Sequence, residues 1–342
     1  MKPQSAADLT LVSSSPHAHS GASVGRIMAD VLIALLPALA AACWFFGWDA
    51  IRLTVACVAT CLATEWLCRK AMRRDNTLSD LSAAVTGVLL AFNLPPALPT
   101  WMAVVGSVVA IAIAKQTFGG LGYNPFNPAL VGRAFLLISC TGPMTTWSAS
   151  AWNSANAAIS AVTSATPLGL VKEALKSGQP PPFTLTPGMT WNFFIGNMNG
   201  CIGEVSAAAL LLGAAYLLVR RTITWHVPVA YLGTTVLYAL ILRLTSANAM
   251  PVPFHLFTGG LMLGACFMAT DMVTTPVTRR GLLIFGAGCG ILTMVIRTVV
   301  NGAYPEGVSF AILIMNAFTP LINRATTRQP FGRIKKRAGS KT

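Results

Sequence analysis

Two carboxylic acids stand where acids are costly. Glu204 opens an apolar run directly after Gly203, and Asp271 closes another shortly before Pro276. Ionisable groups inside membrane-length apolar sequence are expensive and are functional candidates by default. A carboxylate beside unwound backbone carbonyls suits a hard cation such as Na⁺, and the same groups would serve protons. The plainer alternative is that Asp271 caps helix-end amides and Glu204 pairs with a basic neighbour, and both readings stay open. Arg133, after Gly132, offers a positive charge to an anionic cofactor or a buried acid. A third chemistry lies in the hydroxyls of residues 160–168, Ser-Ala-Val-Thr-Ser-Ala-Thr-Pro-Leu. Thr166 precedes Pro167, which biases it to an extended or turn conformation. With Thr163, Ser164 and Ala165 all small, an exposed hydroxyl on a tight turn is expected. By composition alone such a run reads as loop.

Other reactive groups carry less. The eight cysteines include no C-x-x-C pair, and most lie in apolar runs. They read as small helix-packing residues, so no iron–sulfur cluster, zinc site, other metal or disulfide framework is expected. Asp30 and Glu65 fall near cytoplasmic helix ends and read as interfacial. His226 and His255 start spans and read the same way.

The chain that must position these groups is a membrane protein. Of 342 residues, 54% are hydrophobic and 10% are charged, against about a quarter charged in soluble domains. The net charge of +14 comes from short clusters between apolar runs. That is a topology signal and not a nucleic-acid face. The first 26 residues are polar and lack the apolar core of a secretory signal.

Apolar segments fall near 27–48, 50–68, 80–93, 99–117 and 125–140, and again near 201–219, 225–244, 255–271, 281–299 and 307–323. Segments 80–93 and 255–271 are short for a span of about 20 residues. They end at Asn93-Leu94-Pro95-Pro96 and at Asp271-Met272-Val273-Thr274-Thr275-Pro276. Further Gly/Pro-rich stretches follow in matching order in each half, at 119–128 and 301–307. The expected fold is all-α and polytopic, with about ten transmembrane helices in two inverted five-helix repeats with broken or re-entrant segments. The expected domains are a cytoplasmic lead-in (1–26), a first repeat (27–140), a polar insertion (141–200), a second repeat (201–323) and a basic tail (324–342). Lys and Arg gather on one side, including Arg69, Lys70, Arg73, Arg74, Lys115, Arg220, Arg221, Arg279 and Arg280. This puts both termini in the cytoplasm and the insertion, with Thr166, on the outer face.

Several short motifs, in order, give a more specific reading. They are Gly120-Leu121-Gly122-Tyr123-Asn124-Pro125-Phe126-Asn127-Pro128-Ala129, Ser164-Ala165-Thr166-Pro167-Leu168, and Gly200-Cys201-Ile202-Gly203-Glu204-Val205-Ser206. Later come Phe267-Met268-Ala269-Thr270-Asp271 and Tyr304-Pro305-Glu306-Gly307-Val308. Over nearly its whole length the chain resembles the D-subunit family of Rnf ion-translocating electron-transport complexes. More distantly, it resembles the B subunit of sodium-pumping NADH–quinone reductases. The resemblance implies FMN esterified through its phosphate to Thr166 by a dedicated flavin transferase, in the periplasm of a bacterial inner membrane. The family's attachment pattern has an acid six positions earlier and a glycine two positions earlier, where Ser160 and Ser164 stand here. Thr163, Ser164, Asn124, Asn127 and Arg133 are then candidate flavin neighbours, and Glu204 and Asp271 candidate ion-path groups. A second, unattached flavin, riboflavin, is implied by resemblance only.

The implied role is electron transfer between reduced ferredoxin and NAD⁺ coupled to Na⁺ or H⁺ movement, beside partners equivalent to Rnf subunits A, B, C, E and G. This chain has no nucleotide-binding fingerprint, so no complete activity is expected from it alone. A quinone-reducing sodium pump and a non-redox inverted-repeat channel are the rival readings.

Overall fold

The computed structural model describes residues 23–147, 166–177, 179–204, 206–245, 249–298 and 307–327. Among the described residues the elements are helices and helical turns. In the first half these are α1 (Val24–Phe46), α2 (Trp48–Ala71), α3 (Ser82–Phe92), α4 (Thr100–Val108, running on as a π-helix over Val109–Gln116) and α5 (Pro128–Ser139). The insertion contributes α6 (Pro167–Lys176) and α7 (Pro187–Ile195). The second half has α8 (Ala207–Val219), α9 (His226–Thr245), the short α10 (Val252–Phe257), α11 (Leu261–Leu263, running on as a π-helix over Gly264–Met268), α12 (Arg279–Thr298) and α13 (Val308–Thr326). Five of these, α1, α2, α9, α12 and α13, are long and apolar enough to cross a membrane; α3, α4, α5 and α8 are shorter apolar helices. The protein is thus an all-α polytopic membrane protein, as its composition requires.

The packing follows the repeat. In the first half α2 lies against α3 and α4; in the second α9 lies against α10, the π-turn after α11, and α12. The halves meet through equivalent elements: α1, the first of its half, packs on α8, and α5, the last, packs on α13. Contacts between counterparts are what an approximate two-fold relation produces at its axis. At the α1–α8 crossing, Gly213 faces the Ala34 carbonyl with no room for a Cβ, so the two backbones touch. Small residues allow such close approach where lipid offers no hydrophobic drive. One apolar core runs through both halves, from Leu35 and Leu90 to Phe267 and Phe285, and a separate small cluster (Leu168, Val171, Phe193, Met198, Met250, Phe254) lies under the insertion.

The third element of each half is broken. In the first half it starts at Leu81, which is left-handed (φ 60°), and stops at Phe92 before Asn93. In the second half the break falls inside the run expected as one segment over 255–271. Helix α10 ends at Phe257, and the chain turns through Gly259 (φ 74°) and Gly260 (φ 65°) before α11 begins. A left-handed residue costs L-amino acids about 1–2 kcal/mol and glycine almost nothing. Glycine therefore fits both positions of the second corner.

Candidate functional site

The segment before α8 is threaded into the centre of the molecule. Its backbone pairs with the end of α3: the Ile202 N–H donates to the Leu94 carbonyl (3.1 Å), and the Gly203 N–H to the Phe92 carbonyl (2.8 Å). Helix ends leave carbonyls unsatisfied, and lipid cannot satisfy them; here residues from the other half do so. Gly203 lies flat on the Phe92 ring and has no space for a side chain. Ser206 then caps α8, its Oγ accepting from the Ala209 N–H at 3.2 Å.

This threading places Glu204, which is 5% exposed. Its Oε2 accepts from the Cys201 N–H at 3.4 Å. Its Oε1 is buried and has no hydrogen-bond partner among the described residues. That oxygen lies 2.7 Å from where a Cβ of Gly260 would stand, so the carboxylate rests on the second-half corner. Arg133, also buried, donates to Asn93 Oδ1 (2.6 Å) and lies 3.7 Å from Cys201 Sγ. Cys201 touches both Arg133 and Glu204. Asn93 also donates to Met268 Sδ at 3.5 Å, joining the two broken elements.

Asn124, Asn127 and Asp271 form a different group. All three line one interior cavity of about 80 Å³, which also reaches Ser82 and Lys115, and Thr166 is not on its wall. Asn127 caps α5 through its Oδ1, which accepts from the Ala129 N–H at 3.1 Å, and its Nδ2 donates to the Met268 carbonyl at 3.3 Å. Asn124 is buried, and its Oδ1 has no partner among the described residues. Asp271 accepts from the Val273 N–H (3.3 Å) and from Thr274 Oγ1 (3.2 Å). Asp271 therefore caps a turn and not a helix end, and it also lies on the cavity wall.

Thr166 departs from expectation. The sequence reading exposes its hydroxyl, whereas the structure leaves Thr166 only 6% exposed. The reason is Pro167. Proline is favoured at the first position of a helix, and the residue before it then becomes the N-cap. Helix α6 starts at Pro167, and Thr166 Oγ1 accepts from the Gly169 N–H at 3.1 Å. Leu168 and Val171 bury the helix in the small outer cluster. Lys172 Nζ donates to the Ile296 carbonyl at 3.3 Å. Partial burial, and secondly the charge of Lys176, lower the pKa of Lys172 from the ordinary lysine value. Ser160, Thr163 and Ser164 lie outside the described residues.

Three groups that the sequence reading treated as interfacial are buried instead. Glu65 is fully buried, and both its oxygens meet Lys115 Nζ, at 3.1 and 2.8 Å. Thr77 Oγ1 (2.9 Å) and Gln116 Nε2 (3.0 Å) also donate to Glu65, and Lys115 reaches Ser82 Oγ at 2.6 Å. His255 is 7% exposed, packed edge-on to Phe254. Asp30, in the second turn of α1, is 8% exposed and is held by Arg220 at 3.2 Å and by the Tyr216 hydroxyl. Sequence reasoning missed Arg297. Arg297 is 6% exposed and donates to the carbonyls of His255 (2.7 Å), Thr258 (3.0 Å) and Gly259 (2.8 Å). One signal was available: Lys115 and Arg297 each stand one residue before the end of the fourth element of their half.

The sequence is similar to known proteins over nearly its whole length. The chain matches the NQR2, RnfD, RnfE family over residues 11–332. It is 47% identical over 329 residues to the D subunit of the Na(+)-translocating ferredoxin:NAD(+) oxidoreductase complex of Acetobacterium woodii, covering 96% of this chain and 97% of that one. It is 42% identical over 322 residues to the D subunit of the proton-translocating ferredoxin:NAD(+) oxidoreductase complex of Clostridium ljungdahlii, covering 94% and 96%. It is 37% identical over 353 residues to the D subunit of the ion-translocating oxidoreductase complex of Escherichia coli, covering 95% and 99%. With this coverage at both ends, the chain belongs to the NQR2, RnfD, RnfE family.

Proposed function

We propose that this chain is the membrane flavoprotein subunit of an Rnf-type complex. In this reading it passes electrons through FMN esterified to Thr166, as part of ferredoxin:NAD⁺ electron transfer coupled to Na⁺ or H⁺ translocation. The observation that carries the proposal is the position of Thr166 Oγ1 at the N-terminus of α6, bonded to the Gly169 N–H. Helix N-termini favour phosphate, because free N–H groups and the helix dipole point toward it. The site therefore fits a phosphoester on that oxygen. The Leu168 amide of the first turn is the donor, the Gly169 amide being held by Thr166 Oγ1, and the apolar contacts of Leu168 and Val171 fix the helix that bears them. The flavin supplies exchange of one or two electrons, which joins single-electron carriers to one another.

Glu204 and Asp271 are the ion-path groups in this proposal. Glu204 has an uncommitted buried oxygen at the meeting of the halves. Asp271 lies on a cavity wall with Asn124 and Asn127. That arrangement gives the two asparagines to the ion, and not to the group on Thr166. Arg133 steadies the Cys201–Glu204 segment. Ferredoxin and NAD⁺ are then handled by partner subunits, flavin attachment by a transferase, and the insertion faces the periplasm of a bacterial inner membrane.

The test is direct. After co-production with a flavin transferase and denaturing electrophoresis, the wild-type band fluoresces yellow-green and Thr166→Ala is dark. Intact mass adds one FMN-phosphoryl group to the Thr166 peptide. A bare peptide in the assembled native complex refutes the tether.

A further inference from the structure

We infer that the Gly259–Gly260 corner is a mechanical link between the helix capped by Thr166 and the Glu204 carboxylate, and that Arg297 is its positioning residue. This rests on reading Thr166 as the flavin carrier and Glu204 as an ion-path group.

The corner is touched from two sides. Leu168 Cδ2, two residues from Thr166, lies 2.8 Å from where a Gly259 Cβ would stand. Glu204 Oε1 lies 2.7 Å from the equivalent point on Gly260. The outer helix and the buried carboxylate thus press on consecutive residues joined by one planar peptide. Both residues are left-handed, at φ 74° and 65°, and neither carries a side chain to cushion the contact.

Arg297 holds the corner in place. Its guanidinium grips the carbonyls of His255, Thr258 and Gly259, all three on the approach to the turn. Helix α6 is fastened nearby a second time, through Lys172 on the Ile296 carbonyl next to Arg297. Leu168 and Val171 also share their apolar cluster with Phe254 of α10, the helix leading into the corner. Helix α6, α10 and the corner are therefore attached to one another at several points, and they transmit a displacement as close-packed interiors do. Of the groups resting on the corner, Glu204 Oε1 has no hydrogen bond to restrain it. A small shift of α6 is then expressed as a shift of that carboxylate. By linkage, cation occupancy at Glu204 and the charge carried at Thr166 bias each other reciprocally.

The experiment compares the intact complex with Leu168→Ala, Gly259→Ala and Arg297→Lys by hydrogen–deuterium exchange, in-gel flavin fluorescence, and ions moved per electron in vesicles. Leu168→Ala and Gly259→Ala disturb the contact from opposite sides, and only the first lies next to the attachment residue. In both, amides of residues 201–203 are expected to exchange at least about threefold faster, although neither substitution touches them. Ions per electron fall by a similar factor in both, and Gly259→Ala keeps its fluorescence. Arg297→Lys keeps the charge but loses the fork, and it lowers the same ratio with electron-transfer rate held within about twofold. Faster exchange confined to residues 166–176 and 252–262, with an unchanged ratio, overturns the link. A dark wild-type band overturns the tether alone, and the exchange response at 201–203 still decides the mechanical coupling.

Discussion

The third element of each half begins at a left-handed residue beside a buried cation, yet the two corners differ in what they leave available. At Leu81 the cation is Lys115, paired with Glu65, which takes further bonds from Thr77 and Gln116. At Gly259–Gly260 the cation is Arg297, spread over three backbone carbonyls, while the nearby carboxylate arrives on another segment with one oxygen uncommitted. The first corner is electrically closed, with acid and base consuming each other. The second holds its shape through the main chain and keeps a carboxylate free for exchange. Two similar scaffolds thus differ by side-chain identity: one is a fastening, and the other leaves a buried carboxylate oxygen without a hydrogen bond.

This contrast can be broken most severely at its closed end. Lys115→Met strands the Glu65 carboxylate and should cost about 3–5 kcal/mol, whereas Lys115→Met with Glu65→Leu should recover most of that loss, because an apolar pair tolerates burial. Unfolding titrations of the detergent-solubilised protein measure both, and equal losses for the single and double variants would show that charge closure is not what stabilises this corner. At the open end, Gly260→Ala meets a left-handed backbone and the Glu204 carboxylate together. A loss of about 1–2 kcal/mol is expected, with ion transport falling further than stability predicts. Transport at the wild-type level would separate Glu204 from the corner. The mildest change is Asp271→Asn, which keeps an acceptor for Val273 and Thr274 and should cost under about 1 kcal/mol. Ion gradients in vesicles should nevertheless fall while covalent flavin stays constant; unchanged gradients would return Asp271 to a capping role.

Breaks marked by proline were legible in the sequence. Asn93-Leu94-Pro95-Pro96 ends α3 at Phe92, and the stretch from Asp271 to Pro276 separates α11 from α12, as their backbone chemistry requires. The Gly259–Gly260 corner was not, because apolar residues continue on both sides and a glycine pair inside a span reads equally well as helix packing. Glu204 and Asp271 could be singled out by the cost of burying them. The Glu65–Lys115 pair could not be, since its members lie 50 residues apart and each alone resembles an interfacial charge. Thr166 was singled out by a motif and expected to be exposed, where it is buried: the Thr-Pro step was read as a turn, when the same φ constraint also starts a helix. Arg297 was not singled out, because its partners are main-chain carbonyls, which no side-chain pattern announces.

The bonds from Ile202 and Gly203 to the end of α3 have a bearing on biogenesis. The Phe92 and Leu94 carbonyls receive donors more than a hundred residues downstream. Until that later stretch leaves the ribosome, two acceptors in the nascent N-terminal half lack their final partners, at a cost of several kcal/mol each if they meet hydrocarbon. The unfinished chain is therefore a natural client for the insertion machinery, and translation past residue 203 is the moment when the translocon can release the first half to lipid.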